Sequence, residues 1–420
     1  MMQISFLGAM ATVRASGVLI DTGTEKIVLD YGTKIREQPP IFPIPVQGKV
    51  DAVILSHTHL DHSGGVPIFS ANGNSVPVYS LPVTRPLTEL LLLDSIKISR
   101  DEGVELPFSK ADVKDTIKNF SPVSYRKPVK IHKTEFTAFD AGHIPGSMMP
   151  FLDLGKKTVL YTGDLNTRST RLLKRSDENL PDTDILITES TYSERDHPDR
   201  KEQERMLVRI VEETLGVDGV CLIAGFAIGR IDEMLLILNS YGIDYPVYVD
   251  GMAKKAITII NQHKNMLKIP NGLDKALEKV QYVSDERMRK KIIRNPCVIL
   301  STSGMLTGGP IVNYIKKFHD NERCSLVLSS FQLENTPGKI LLETGKFVYE
   351  GSELEMKMNV KRLDFSAHAG RTDLLEFIKN INPEKVFCVH GDHTEEFARE
   401  LGEKGFDATA PVANNRIFSI

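Results

Sequence analysis

The segment VDAVILSHTHLDHSGG, residues 50–65, constrains the fold more than any other part of this sequence. Its first part, residues 50–55, is a short apolar run of the kind that forms a fully buried strand. Four side chains with available lone pairs follow before a pair of glycines: His57, His59, Asp61 and His62. Such groups, crowded where a buried strand opens into a loop, repel one another and lose solvation unless they share a cation. The segment therefore predicts a divalent metal site.

Imidazole and carboxylate ligands together favour zinc among the borderline metals. His57 and His59 stand two positions apart and share a side in extended chain, whereas the adjacent Asp61 and His62 point elsewhere and suit a neighbouring ion. The spacing therefore predicts two zinc ions. The alternative interpretation is a surface loop that is rich in histidine without a function.

At these residues the chain resembles the metallo-β-lactamase superfamily, whose HxHxDH signature is His57-Thr58-His59-Leu60-Asp61-His62. The resemblance implies a hydrolase scaffold and names no substrate. His143 in AGHIPGS and Asp164 in YTGD match the third and fourth motifs of the superfamily, with Asp164 bridging the two ions. Asp30 in VLDYG matches an acidic residue that supports the ligands from beneath, and a simple turn aspartate is about as good an explanation.

Composition places the chain among ordinary globular proteins. Its 420 residues suggest about two or three domains, and a net charge of −3 provides no overall basic field for nucleic acid. The sequence shows no apolar run long enough for a membrane span and no leader, so we expect no membrane partner and a cytoplasmic location. The four cysteines lie in separate apolar runs and are expected to be buried free thiols.

The order of secondary structure predicts an α/β fold. Three β-type runs open the chain and resemble an antiparallel meander, followed by helices through about residue 69, at 82–100 and at 110–119. After Glu189 the runs VCLIAG, PVYVDG, NPCVILS and CSLVLSS alternate with helices, which is typical of a doubly wound α/β domain inserted into the first domain. Strand-turn-helix units then return, ending in a helix at 394–403.

A second resemblance covers essentially the whole chain. Glu189 in TESTY, His368 in FSAHAG and His390 in VHG are similar to motifs A, B and C of the β-CASP nucleases, most closely the archaeal ribonucleases related to the cleavage and polyadenylation specificity factor that lack KH modules. The resemblance implies an αββα metallo-β-lactamase sandwich, 1–190 and 350–420, with an inserted β-CASP domain, 191–349. It also implies an active site in the cleft between them.

By the same resemblance, one zinc ion is held by His57, His59, His143 and Asp164, and the other by Asp61, His62, Asp164 and His390. His368 protonates the leaving 3′-oxygen, and Glu189 orients it. The products are a 5′-phosphate and a 3′-hydroxyl. We also expect small residues in tight loops, and one arginine, to contact phosphate groups of the substrate: Ser301, Ser303, Gly304, Ser366 and Arg230.

The leading prediction is a zinc-dependent ribonuclease acting on single-stranded RNA as an endonuclease, a 5′–3′ exonuclease or both. A DNA-directed relative, a small-molecule hydrolase and an inactive scaffold subunit are the alternatives. Histidine at position 390 favours RNA, since DNA-directed members of the resembling family commonly carry valine there. The C-terminal RIFSI segment either mediates a homodimer, as in related archaeal enzymes, or completes a sheet of its own chain.

Overall fold

The computed structural model describes residues 2–34 and 39–420. They form two compact units. The first unit contains the chain up to Ser169, together with Arg175–Asp196 and Ala367–Ile420, and the second contains Thr170–Lys174 and His197–Ser366. Within the described ranges, every helix is too short or too polar to cross a membrane.

The elements alternate throughout the chain. The strands are β1 Gln3–Phe6, β2 Gly17–Asp21, β3 Lys26–Tyr31, β4 Ala52–Ile54, β5 Val78–Ser80, β6 Phe120–Pro122, β7 Pro128–Ile131, β8 Thr134–Asp140, β9 Met148–Asp153, β10 Thr158–Tyr161, β11 Ile185–Glu189, β12 Val220–Ala224, β13 Val247–Asp250, β14 Val280–Tyr282, β15 Cys297–Ser301, β16 Ser325–Leu328, β17 Lys346–Tyr349, β18 Ser352–Glu355, β19 Asn359–Arg362, β20 Lys385–Val389, β21 Ala408–Thr409 and β22 Ile417–Ser419. The α-helices are α1 Leu60–Ser63, α2 Pro67–Ala71, α3 Thr84–Asp101, α4 Lys110–Lys118, α5 Arg200–Gly216, α6 Arg230–Ser240, α7 Ala253–Gln262, α8 Gly272–Leu277, α9 Glu286–Ile292, α10 Pro310–Phe318, α11 Pro337–Thr344, α12 Arg371–Ile381 and α13 Thr394–Glu403.

Two seven-stranded sheets form the first unit, in the orders β22-β1-β2-β3-β4-β5-β6 and β21-β20-β11-β10-β9-β8-β7. They face each other through contacts such as Phe6 against Phe387, whose ring centroids lie 5.0 Å apart. Helices α2–α4 contribute to the core of the first sheet, and α12 and α13 contribute to that of the second. The layers are therefore helix, sheet, sheet, helix, and the predicted α/β class is confirmed. The predicted meander of β1–β3 is antiparallel as expected.

One predicted helix is wrong in detail. The sequence predicts a single helix from the HxHxDH loop to about residue 69, but the structure has two short helices, α1 and α2, separated by Gly64, Gly65 and Val66. A side chain at Gly65 would lie 2.8 Å from the carbonyl oxygen of Gly32. The glycine pair therefore lets this segment pack directly against the end of β3.

The C-terminal strand completes a sheet of its own chain. β22 pairs antiparallel with β1, and Phe418 packs against Phe6 and Phe387. The RIFSI segment thus completes a sheet of its own chain, and its role in a homodimer stays a prediction. All four cysteines are buried and free, as predicted.

The second unit is built on a six-stranded parallel sheet in the order β14-β13-β15-β12-β16-β19, with a separate hairpin of β17 and β18. The four strands predicted from apolar runs, β12, β13, β15 and β16, are confirmed. The unit continues to Ser366 because β19 pairs with β16, so its sheet extends past residue 349. The predicted domain boundaries themselves remain a prediction.

Candidate metal centre

The strand order of the first unit brings its polar loops together. β10, β11 and β20 are parallel neighbours, so their carboxyl ends meet at one edge of the sheet. Asp164 follows β10, Glu189 ends β11 and His390 follows β20. His57 follows β4 of the other sheet, and His143 follows β8. Residues that are far apart in the sequence therefore meet in one place.

The first donor group consists of His57, His59, His143 and Asp164, whose ligand atoms lie within 4.8 Å of one another. His59 Nδ1 lies 3.1 Å from His57 Nε2 and 3.2 Å from His143 Nε2. Burial lowers the pKa of all three imidazoles, that of His59 to about 3, so they are neutral at pH 7.

The second donor group consists of Asp61, His62 and His390. His390 Nε2 lies 3.6 Å from Asp61 Oδ2. Burial opposes ionisation of Asp61, but the nearby imidazoles of His390 and His62 outweigh burial and hold its pKa well below the usual value. Asp61 is therefore a carboxylate at neutral pH.

Asp164 lies between the two donor groups. Its Oδ2 atom is 3.4 Å from His57 Nε2 and 3.5 Å from His143 Nε2, whereas its Oδ1 atom is 3.2 Å from His62 Nε2 and 3.3 Å from His390 Nδ1. The side chain is almost completely buried. Each carboxylate oxygen thus faces one donor group, which is the arrangement that a bridging ligand requires.

Three buried atoms test whether this arrangement fits a metal. His62 Nε2, Asp164 Oδ1 and His390 Nε2 make no well-aligned hydrogen bond to any residue that the structure describes. A buried polar atom without a partner costs about 1–3 kcal/mol, and three in one place would be a large penalty for a folded protein. A cation supplies the missing partner for all three atoms, so the donor set fits a metal site.

Asp30 lies beneath the second donor group and is completely buried. Its Oδ2 atom accepts hydrogen bonds from His62 Nδ1 at 2.7 Å, Ser56 Oγ at 2.6 Å and Tyr161 OH at 2.8 Å. Because Ser56 Oγ donates to Asp30, it accepts from His57 Nδ1 at 3.1 Å. Asp30 thus fixes the tautomers of His57 and His62, leaving each Nε2 atom to face the donor groups.

Two further imidazoles are oriented in the same way. His143 Nδ1 donates to the backbone oxygen of Ala367 at 2.7 Å. Thr191 Oγ1 donates to the backbone oxygen of His390 at 3.1 Å and accepts from His390 Nδ1 at 3.2 Å. In both residues the Nε2 atom is thereby left to face the donor groups.

Glu189 and His368 form a third group next to Asp164. His368 Nδ1 lies 3.0 Å from both carboxylate oxygens of the fully buried Glu189, and His368 Nε2 lies 4.0 Å from Asp164 Oδ2. Burial lowers the pKa of His368, but the carboxylates of Glu189 and Asp164 outweigh it and raise that pKa to about 9. His368 is therefore protonated at neutral pH, with Nε2 directed toward the donor groups.

Known protein families match this architecture in three segments. Residues 12–188 match the metallo-beta-lactamase superfamily domain, residues 232–341 the Beta-Casp domain, and residues 353–411 the Zn-dependent metallo-hydrolase RNA specificity domain. The probable RNase MJ4 of Methanocaldococcus jannaschii is 38% identical, with 99% of this chain and 100% of that protein covered.

The chain belongs to the β-CASP family of metallo-hydrolases.

Other relatives in the β-CASP family are similar over most of the chain. RNase aCSPSF2 of Saccharolobus solfataricus is 36% identical over 94% of this chain and 80% of that protein. The transcription termination factor FttA of Methanosarcina mazei is 34% identical over 93% of this chain and 67% of that protein. The fold also resembles a crystal structure of a protein of unknown function from Enterococcus faecalis V583, with a TM-score of 0.62 at 15% identity and both chains fully covered.

The residues predicted to bind substrate are only partly brought together. Ser301 ends β15 and is fully buried, and Ser303 and Gly304 follow in the same loop. That loop packs against the one before α6, which begins at Arg230, since a Cβ on Gly304 would lie 3.1 Å from the backbone nitrogen of Phe226. Ser366 lies elsewhere, where its backbone nitrogen donates to Asp364 Oδ1 at 2.9 Å.

Sequence reasoning missed the residues that orient the ligands, namely Ser56, Tyr161 and Thr191. Each stands within a few positions of a residue that it did identify: Ser56 precedes His57, Tyr161 precedes Asp164 and Thr191 follows Glu189. Proximity to a predicted ligand was therefore the available signal. Hydroxyl groups beside a metal motif are natural hydrogen-bond partners for imidazole.

Proposed function

We propose that this protein is a ribonuclease that holds two zinc ions and hydrolyses phosphodiester bonds of single-stranded RNA, leaving 5′-phosphate and 3′-hydroxyl ends. The observation that carries the proposal is the position of Asp164, with one carboxylate oxygen toward each donor group. Two ions that share a carboxylate form the kind of centre that is used for in-line attack on phosphorus.

The proposed ligands divide according to the two donor groups. His57, His59, His143 and Asp164 would hold one zinc ion, and Asp61, His62, Asp164 and His390 the other. When bound, two zinc ions acidify water at neutral pH and stabilise negative charge on the phosphate under attack. Asp30 supports the site by fixing His57 and His62. The neutral imidazoles of His57, His59 and His143 and the ionised carboxylate of Asp61 are in the forms that zinc binds.

His368 is the proposed proton donor. The leaving 3′-oxygen needs a proton, and His368 carries one at Nε2 at neutral pH because Glu189 accepts from Nδ1 and raises the pKa of the ring to about 9. Its side chain is 19% exposed, whereas those of His57 and His62 are fully buried. The proposed general acid thus remains accessible to a substrate.

RNA is the proposed substrate because relatives that are 38% and 36% identical to this chain are named RNases and because residues 353–411 match an RNA specificity domain. Histidine at position 390 agrees with this choice over DNA. Ser301, Ser303, Gly304, Ser366 and Arg230 remain proposed contacts to the phosphates of the strand.

The test is to incubate the pure protein, loaded with zinc, with 5′-labelled linear RNA, circular RNA and DNA of the same sequence. Cleavage of the circle shows endonuclease activity, and release of mononucleotides from the linear strand alone shows 5′–3′ exonuclease activity. Cleavage of DNA with preference over RNA would contradict the assigned substrate. Hydrolysis of none of the three would contradict the proposed function.

A further inference from the structure

An exposed aromatic side chain lies at the carboxyl edge of the second unit's sheet. Phe331 follows β16 and is 41% exposed. Arg362 is the last residue of β19, which pairs parallel with β16 such that Arg362 is opposite Leu328. Its guanidinium carbon lies 5.7 Å from the centroid of the Phe331 ring. An arginine and a phenylalanine are thus presented together where ligands commonly bind to parallel sheets.

The loop that carries Phe331 is firmly anchored. The neighbouring Gln332 is buried, and its Nε2 atom donates to the backbone oxygens of Gly304 at 2.8 Å and Ser330 at 2.9 Å. Thr336 caps α11 by accepting a hydrogen bond from the backbone nitrogen of Lys339. Because Phe331 sits between an anchored glutamine and a buried serine, its exposure belongs to the folded loop and does not result from a frayed end.

A buried hydroxyl lies next to Phe331. Ser330 is only 4% exposed, and its Oγ atom makes no hydrogen bond within the described part of the chain. A Cβ added to Gly304 would lie 2.7 Å from this oxygen, so any larger residue at position 304 would collide with the Ser330 hydroxyl. An unsatisfied buried hydroxyl costs about 1–3 kcal/mol, a cost that a polar ligand group would remove.

We propose that Phe331, Arg362 and Ser330 form a subsite for one nucleotide of a single-stranded RNA. An unpaired base stacks on Phe331, Arg362 neutralises a phosphate beside that base, and Ser330 Oγ bonds to the sugar or phosphate of the same nucleotide. Aromatic rings and guanidinium groups are the usual platforms for unpaired bases. Asp364, the acid that Arg362 helps to keep ionised, is paired with His197 Nδ1 at 3.2 Å. Among the described residues, no carboxylate lies within ion-pair distance of Arg362, so the guanidinium group can also face a phosphate. This inference rests on the proposed function and names a place where the strand is held.

A nucleobase suits this position better than an apolar protein surface. An apolar partner that covered Phe331 would also cover the charged Arg362 and leave the Ser330 hydroxyl without a partner, which would cost free energy. A nucleotide matches all three side chains, since it offers an aromatic face, a negative charge and hydrogen-bonding groups.

The test measures the affinity for a short single-stranded RNA and for a series in which a single abasic ribose is moved along the strand. The zinc-loaded protein carries His368→Ala, which slows turnover during the measurement. Phe331→Ala is expected to weaken binding of the intact strand by about tenfold, within the range that stacking on one aromatic side chain provides. In the protein that retains Phe331, the RNA whose abasic ribose falls at the subsite should bind more weakly by a similar factor. That position should have almost no effect in Phe331→Ala, because the same contact is already absent.

Two further variants separate stacking from folding and from general apolar contact. Phe331→Tyr should keep the affinity, and Phe331→Leu should lose most of it although it retains apolar area. Arg362→Ala should reduce the dependence of the logarithm of affinity on the logarithm of salt concentration by about the contribution of one phosphate contact.

The matched control is Tyr241→Ala. Tyr241 is 37% exposed, and the guanidinium carbon of Arg171 lies 5.7 Å from its ring centroid, so this pair resembles the Phe331 pair in exposure and distance. Tyr241 directly follows the last residue of α6. The first residue of α6 faces the carboxyl edge of the sheet, so Tyr241 lies at the opposite end of the helix. Its replacement should leave RNA affinity unchanged.

The outcomes distinguish the subsite from the function on which it rests. If the protein binds RNA and Phe331→Ala binds the intact and abasic strands as its parent does, the subsite is wrong and the proposed function stands. If the wild-type protein neither binds nor cleaves RNA, the proposed function fails and the subsite fails with it.

Discussion

His368 Nδ1 lies 3.0 Å from both carboxylate oxygens of Glu189, and the backbone nitrogen of Leu165 donates to the same carboxylate at 2.5 Å. Leu165 directly follows Asp164. The contact therefore ties the proposed general acid to the residue that faces both donor groups. Glu189 has two effects on His368, since it orients the ring and raises its pKa to about 9.

Replacement of Glu189 by glutamine separates these two effects. Glutamine can still accept a hydrogen bond from His368 Nδ1 but carries no charge, so the pKa of His368 should fall. Because His368 donates a proton only when it is protonated, the rate should decline at alkaline pH in the wild-type protein. In Glu189→Gln this decline should move to lower pH.

The pH profile of kcat for RNA cleavage, with zinc content determined in parallel, checks this prediction. His368→Ala provides the control, because it should lose the decline altogether together with most of the rate. An unchanged alkaline decline in Glu189→Gln would show that Glu189 does not control the proton on His368.

Zinc content should distinguish the ligands from the proposed acid. Asp61→Ala and His390→Ala each remove a member of the second donor group, so both should abolish cleavage and lower the bound zinc. Asp164→Asn should lower the zinc content further, because Asp164 faces both donor groups. His368→Ala should retain the wild-type zinc content while losing rate.

Metal analysis by mass spectrometry after gel filtration gives the content of each variant, and circular dichroism verifies that each one is folded. Loss of zinc from His368→Ala would place His368 among the ligands. Wild-type zinc content in Asp164→Asn would remove the bridging role.

The candidate centre was largely predictable because its signals are local. The HxHxDH segment has a fixed spacing, and the other predicted ligands each follow an apolar run that becomes β8, β10 or β20. The parallel pairing of β10, β11 and β20 is what brings three of these runs together, and no spacing in the sequence specifies that pairing. It was the order of motifs shared with a known family that predicted this assembly.

Other features were not predictable from apolar patterns. β14 and β19 are short, partly exposed edge strands with the sequences VQY and NVKR, which lack a continuous apolar run. Asp30 and His390 have positive φ angles of 56° and 51°, a backbone region that is costly for residues other than glycine. The motifs place both residues at the centre, but only the packed structure shows this backbone conformation.

Asp30 should control zinc affinity without touching the ion. Asp30→Asn removes the charge that holds His62 Nδ1–H and Ser56 Oγ–H, and asparagine tolerates a positive φ angle well. Loss of such a supporting group typically weakens metal binding by about 10- to 100-fold. Competition with a chelator of known affinity measures the change.

Tyr161→Phe is the matched control, since it removes only the 2.8 Å hydrogen bond from the tyrosine hydroxyl to the same Asp30 oxygen. Its zinc affinity should change less than that of Asp30→Asn. Equal zinc affinities in Asp30→Asn and the wild-type protein would mean that His57 and His62 are oriented by their packing alone.

Neighbouring acids at the start of α6 should respond to pH in opposite ways. Asp232 is fully buried; its Oδ2 atom accepts from the backbone nitrogen of Gly229 at 3.1 Å, whereas its Oδ1 atom has no hydrogen-bond partner among the residues of ranges 2–34 and 39–420. Burial raises the pKa of Asp232 to about 7. Burial also opposes ionisation of Glu233, but Arg200 and the backbone nitrogens of Arg171 and Leu172 outweigh it and lower the pKa.

Folding raises the pKa of Asp232, because burial favours its protonated form. The free energy of unfolding therefore falls as the pH rises toward about 7, by at most about 4 kcal/mol. Asp232→Asn should therefore increase the free energy of unfolding of the second unit, and the gain should be larger at about pH 8 than at about pH 5. Glu233→Gln should decrease the free energy of unfolding at neutral pH. The pKa of Glu233 is lower in the folded protein than in the unfolded chain, so its ionised form stabilises the fold above the unfolded pKa. Urea unfolding, monitored by the hydrogen exchange of α6, measures the change in the free energy of unfolding for each variant. A gain from Asp232→Asn that does not depend on pH would mean that Asp232 is already ionised in the folded protein at about pH 5, and that burial does not raise its pKa.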